Sequence, residues 1–375
     1  SVSPKSARLR LARVFTSSMV LQAEYPTLSG WVTLSTDSFQ NNDNNQVSVS
    51  VSVSDGETVP ATVNQTDGSW RVDLASRKAS MDSVNITVSA QFSRGDVQQI
   101  YAIDNNNDND TETVVLTDVL FGDVWVCSGQ SNMEFSVAEA FDSAAIIAGA
   151  AHPGLRLFAV QKNSTSKTEL ADLVDVQTPG GGWVKATPQT VCGAEYDSNA
   201  SHYCLPHCGP SAAVDSFKRP TWGFFSAVCF LYGRKLLQET GRPQGMLESC
   251  WGGTSIESWS SAKALDTCDK TYGDNVEEKE ETDAFNGTST QEETMTVMED
   301  ADPIGDHWAN MIAPILRTAI RGAIWYQGSC AFVHLLSANA SNVDWWCCSC
   351  PKQLRLSGFV YMIYTTCYGS FTHRA

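Results

Sequence analysis

Val124-Trp125-Val126-Cys127-Ser128-Gly129-Gln130-Ser131-Asn132-Met133 is the stretch that decides the fold. An apolar run that stops at a glycine and then turns helical reads as a buried strand feeding a tight turn. A helix is expected from Asn132 to about Ala151, with Met133, Phe135, Val137, Ala140, Phe141, Ala144 and Ile147 at roughly helical spacing. A serine at this junction carries its hydroxyl at the carboxyl end of a sheet and the positive end of a helix. Both features suit a nucleophile whose reaction develops negative charge nearby. On local pattern alone, a plain helix N-cap serine is the favoured reading.

Downstream of Val114, strands alternate with helices. Residues 155–160 read as a strand, 224–237 as a helix stopped by Gly241-Arg242-Pro243, and 245–249 as the next strand. Residues 309–320 read as a helix kinked at Pro314, leading into a strand at 322–326. The class is therefore α/β, with a parallel sheet covered on both faces. Upstream, residues 1–115 read as a small antiparallel β-sandwich-like or jelly-roll-like module. Its strands are the Val/Ser alternation at 47–54, residues 68–74 and residues 84–88, with polar loops at 41–45 and 104–110. The α/β unit is then 116–329, interrupted by an acidic surface insertion at 269–306. Residues 330–375 form an atypical tail, with five of the twelve cysteines and Asp344 as its single acid.

Three strand ends present small or polar residues to one sheet edge: Gly129 to Asn132, Trp251-Gly252-Gly253-Thr254-Ser255, and Trp325-Tyr326-Gln327-Gly328. In an open parallel sheet, ligands bind outside the carboxyl ends of the strands. A serine nucleophile there needs donors for a tetrahedral oxyanion. The Ser131 amide, an amide from Gly252 or Gly253, and the Gln327 side chain supply three candidates. A plain strand-to-helix turn accounts equally for the glycine pair.

The chain has 375 residues, 42% hydrophobic and 18% charged, enough for two domains or one large domain with an appendage. A net charge of -17 argues against a nucleic-acid partner and against an anionic membrane surface. An acidic substrate would need a local cationic or hydrogen-bonding site. Twelve cysteines and seven N-x-S/T sequons (Asn64, Asn85, Asn109, Asn163, Asn199, Asn286, Asn339) point to a secreted or lysosomal protein. The chain starts at Ser1 without a signal segment, so its N-terminus is read as processed or missing. No run of eighteen apolar residues marks a membrane span.

Asp123 through Met133 resembles the nucleophile block of sialate O-acetylesterases, members of the SGNH-hydrolase superfamily. Residues 225–234, Trp251-Gly252-Gly253-Thr254-Ser255-Ile256-Glu257-Ser258-Trp259, and Met311-Ile312-Ala313-Pro314 with Trp325-Tyr326-Gln327-Gly328 are similar to further blocks in family order. The resemblance implies a flavodoxin-like three-layer α/β/α domain that removes acetyl groups from sugar hydroxyls without metal or cofactor. Its substrate would be an O-acetylated sugar, with sialic acids the first option and acetylated plant or microbial polysaccharides another. It implies Ser131 as nucleophile and Gly252 or Gly253 with Gln327 as oxyanion donors.

The chain departs from the family after Gly328. Ser329-Cys330-Ala331-Phe332 replaces the usual Glu and polar run, and no Asp-x-x-His follows. That block supplies the general base and its orienting acid in the superfamily. His334 and His373 have no acid three residues before them, and His307 reads as structural. The chain thus reads as truncated or frame-altered after Gly328, with impaired turnover. The alternatives are a non-catalytic carbohydrate-binding relative and an incomplete, poorly folding product. His202-Tyr203-Cys204-Leu205-Pro206-His207-Cys208 fits disulfides better than zinc. Cys127 and Cys229 read as buried rather than reactive.

Overall fold

The computed structural model describes residues 8–33, 46–93, 111–192, 224–265 and 305–327, and the backbone of strand Phe359–Ile363. Its spine is the strand Thr111–Gly129, whose sequence changes character halfway along. The first half alternates polar and apolar residues and pairs antiparallel with Ser80–Ser93. From Val119 to Gly129 every residue is buried, as a strand flanked by parallel neighbours and covered on both faces requires. The join expected between residues 115 and 116 falls inside this strand.

The parallel part runs His152–Ala159, Gln244–Cys250, Thr111–Gly129, Gly322–Tyr326, Phe359–Ile363. Helix Ala227–Thr240 covers one face, burying Cys229 and Phe230 with Trp125, Leu155, Leu157 and Met246. On the other face Met311 and Ile315 pack with Val124, Val126, Leu247 and Trp251, continuous with the core of the β-rich region. The α/β three-layer reading therefore holds. Counted along the chain, the strand order of the parallel part is second-third-first-fourth-fifth. After Gly129, Met133, Val137 and Ile147 join the core on the face of helix Ala227–Thr240, whereas after Cys250, Trp251 and Trp259 join the core on the Met311 face. The ends of these two adjacent strands are thus a topological switch point, where α/β sheets bind ligands.

Strands Gln46–Val53, Ser69–Asp73, Ser80–Ser93, His152–Ala159, Gln244–Cys250 and Gly322–Tyr326 lie where the sequence places them. The helix expected over 132–151 is corrected to two short helices, Ser131–Glu134 and Ser143–Ala148, with a 3-10 turn Val137–Glu139 between them. Backbone pairing outside the helix takes over its ladder. Phe135 O accepts Ala227 N–H at 2.8 Å, and Val137 N–H donates to Phe225 O at 3.0 Å. Asp142 then adopts left-handed φ (57°), and Phe141 is left 99% exposed. The kinked helix expected at 309–320 is a π-helical turn, Trp308–Ile312, followed by a 3-10 turn, Ala313–Arg317. The tail is less foreign than its composition suggests, since Phe359–Ile363 extends the parallel sheet. The loops at 41–45 and 104–110, the insertion up to residue 304 and the His202–Cys208 cluster lie outside the described residues.

Two features tie the helix Ala227–Thr240 to the sheet. Cys127 and Cys229, both fully buried, form a disulfide across 102 residues of chain. Glu248, from strand Gln244–Cys250, accepts the Ser226 N–H at 2.9 Å, while the Ser226 hydroxyl caps the helix by accepting Cys229 N–H at 3.1 Å. Burial, reinforced by the nearby Glu134 carboxylate, pushes Glu248 up to about 7. Arg156, 2% exposed, pairs with Asp118 at 2.7 and 3.1 Å and holds that carboxyl down at about 2. Among the described residues no helix is long and apolar enough to cross a membrane.

Replacing Cys127 and Cys229 with alanine should lower the unfolding free energy by about 2–5 kcal/mol in denaturant titrations of the oxidised protein. Glu248 holds its proton to higher pH in the fold than in the unfolded chain. Its contribution is complete below about pH 4.5 and is lost as pH rises through about 7. Thermal melts across that window should show stability falling by up to about 3 kcal/mol, and Glu248→Gln should flatten the fall.

Candidate active site

Ser131 is the first residue of the one-turn helix Ser131–Glu134, and Gln130 occupies the N-cap position without a side-chain cap bond. The N-cap reading of Ser131 is therefore corrected. Its hydroxyl has no hydrogen-bond partner among the described residues, and the residue is partly exposed. The turn that delivers it depends on Gly129, which has φ +138°. A Cβ at that position would lie 2.2 Å from Tyr326 O, so only glycine lets the two strand ends close. Gln130 N–H donates to Tyr326 O at 3.2 Å, and Trp251 N–H donates to Gly129 O at 3.1 Å. These two bonds draw the three predicted strand ends together.

Gly252 sits directly against the serine. A Cβ on it would stand 3.3 Å from both Cα and Cβ of Ser131, and 2.9 Å from Glu134 Oε2. Its N–H donates to that Glu134 oxygen at 2.5 Å. In this arrangement the Gly252 amide is spent on a carboxylate and does not face a substrate. Gly253 follows with φ +79°, exposed, and its N–H has no acceptor among the described residues. Gln327 closes the far side, donating from Nε2 to Thr254 O at 3.0 Å, while its Oε1 is buried without a partner among the described residues. The structure thus brings Ser131, Gly252, Gly253 and Gln327 to one sheet edge.

The floor of this edge is polar and buried. Glu134 is 6% exposed and ion-paired through Oε1 with Lys162, which is 8% exposed. Lys162 Nζ lies 5.8 Å from the Trp251 ring centroid. Thr254 Oγ1 donates to Trp251 O at 2.7 Å and accepts Trp259 Nε1–H at 2.7 Å. His307 is buried, stacked on Trp259 and edge-on to Trp251, each 4.9 Å away between ring centroids, in agreement with a structural role. His152 starts its strand and so lies at the opposite edge of the sheet. His334 and His373 lie outside the described residues. Among the described residues, no group of His, Cys, Asp and Glu is arranged to hold a metal ion.

Sequence reasoning missed Glu134, Lys162 and Glu248. Glu134 carried a signal, an acid one turn after the serine in an otherwise apolar run. Glu248 carried another, a lone acid within a buried strand. Lys162 carried none.

The chain is 31% identical over 269 residues to the sialate O-acetylesterase of Rattus norvegicus, covering 68% of this chain and 42% of that protein. The Homo sapiens sialate O-acetylesterase is 30% identical over 243 residues, covering 64% of this chain and 36% of the relative. The chain thus spans about two fifths of the length of these relatives. No protein-family model matches it. Among solved structures, a carbohydrate acetylesterase from Xanthomonas citri superposes with a TM-score of 0.51 at 24% identity, covering 85% of this chain and 51% of that one. That likeness extends the shared α/β fold over most of the chain. By sequence, the chain is a homologue of the sialate O-acetylesterases.

Proposed function

We propose that the chain is a carbohydrate O-acetylesterase acting on O-acetylated sialic acids, with Ser131 as nucleophile. The observation that carries this reading is the unspent Ser131 hydroxyl against the Gly252 turn, whose next residue, Gly253, has an N–H with no acceptor among the described residues. Ser131 Oγ attacks the acetyl carbonyl. The developing oxyanion takes hydrogen bonds from the Ser131 and Gly253 amides, with the remaining Gln327 amide hydrogen beside them. The sugar hydroxyl leaves, and water then releases acetate from the acyl-serine.

The residue that removes the serine proton is not among those described. Turnover resting on the oxyanion donors and substrate binding alone would be slow. The rival reading is a carbohydrate-binding relative that has kept the cleft and lost the chemistry. A secretory or lysosomal location is supported by the Cys127–Cys229 disulfide and by the exposed sequons at Asn64 and Asn85.

Acetate release should be measured from O-acetylated sialic acid and from an aryl acetate. The expected result is slow release from both, reduced at least about tenfold by Ser131→Ala. Robust release that Ser131→Ala leaves unchanged would overturn the mechanism, and glycan binding without release would favour the rival. Glycopeptide mapping of protein from a secretory host should find glycans at Asn64 and Asn85. Asn163 should be bare, because it is 7% exposed and donates to Asn310 Oδ1 at 2.9 Å.

A further inference from the structure

We infer that Glu134, neutralised by Lys162, is a positioning residue that clamps the Trp251–Gly252 turn against Ser131 and leaves Gly253 as the turn's backbone donor. The inference rests on the esterase reading for its catalytic meaning, and on geometry alone for the clamp. A count of the polar groups at this turn makes the case. Trp251 N–H is given to Gly129 O, Gly252 N–H to Glu134, and Gln327 is bonded to Thr254 O. Trp251 O accepts the Thr254 hydroxyl. Of the N–H groups of Trp251, Gly252 and Gly253, only that of Gly253 lacks an acceptor among the described residues.

Glu134 is well placed to hold three strand ends at once. It rides on the helix that follows Gly129. It grips the turn that follows Cys250, and it pairs with Lys162, three residues beyond the strand His152–Ala159. Lys162 matters for a second reason. A bare carboxylate this close to Ser131 would repel the oxyanion that forms there, and the buried ammonium offsets that field. Both Glu134 oxygens are engaged, one by Lys162 and one by Gly252, so Glu134 is not offered as the missing base.

Amide exchange in protein labelled with 15N-glycine tests the clamp without needing turnover. In the native protein, Gly252 should exchange at least about 100-fold more slowly than Gly253. Glu134→Ala should abolish the difference. The double variant Glu134→Gln with Lys162→Met, which keeps an acceptor for Gly252 and removes both charges, should preserve it and guards against a misfolded single variant. For aryl acetate hydrolysis, Glu134→Ala should lower kcat about 100-fold with KM changed less than about threefold, and the double variant should recover most of the loss. Fast exchange at Gly252 in the native protein, or an unchanged kcat once Gly252 has been released, would overturn the inference. If no variant releases acetate, the exchange result still decides the clamp, while the esterase reading falls.

Discussion

The site depends on one steric constraint, the approach of the Gly129 backbone to Tyr326. A side chain at 129 would collide with Tyr326 O at 2.2 Å, so the strands Thr111–Gly129 and Gly322–Tyr326 can end side by side only with glycine there. Everything at the sheet edge follows from that closure. Gln130 bonds across to Tyr326, Trp251 bonds back to Gly129, and Ser131 is delivered at the start of a helix only one turn long. The opposite directions of chain travel after Gly129 and Cys250 then open a crevice at the point where these groups meet.

The edge is also an electrostatic construction. A chain of net charge -17 sets its only described buried ammonium–carboxylate pair, Lys162 with Glu134, directly beneath the serine turn. Taking such a pair out of water is costly, and a clamp on three strand ends gives that cost a purpose. Glu248 lies on the same strand that leads into Gly252, and it keeps its proton to near neutrality because burial and Glu134 both oppose its charge. One cation thus lies near two acids, Glu134 in direct contact and Glu248 at longer range.

Much of this was legible in the sequence because it is local. An apolar run closed by glycine locates Ser131, the Gly252-Gly253 pair marks a second strand end, and the 322–326 strand places Gln327 at a third. What was not legible is what distant residues impose. The break after Glu134 is made by backbone bonds from Phe225 and Ala227, some ninety residues on, which no local periodicity carries. The Cys127–Cys229 bridge is one pairing among twelve cysteines, and spacing alone does not select it. The choice between Gly252 and Gly253 turns on a carboxylate 118 residues away in sequence. The Asn163 sequon reads like the others until its amide is found buried against Asn310.

The central claim, that Ser131 is the reacting group, is tested most directly by phosphonylation. The folded protein would be treated with an aryl fluorophosphonate, digested, and the adduct located by peptide mass. The account predicts a single adduct on the peptide carrying Ser131, slow to form and absent from Ser131→Ala. An adduct on another residue, or no adduct on folded protein that still cleaves acetyl esters, would contradict it.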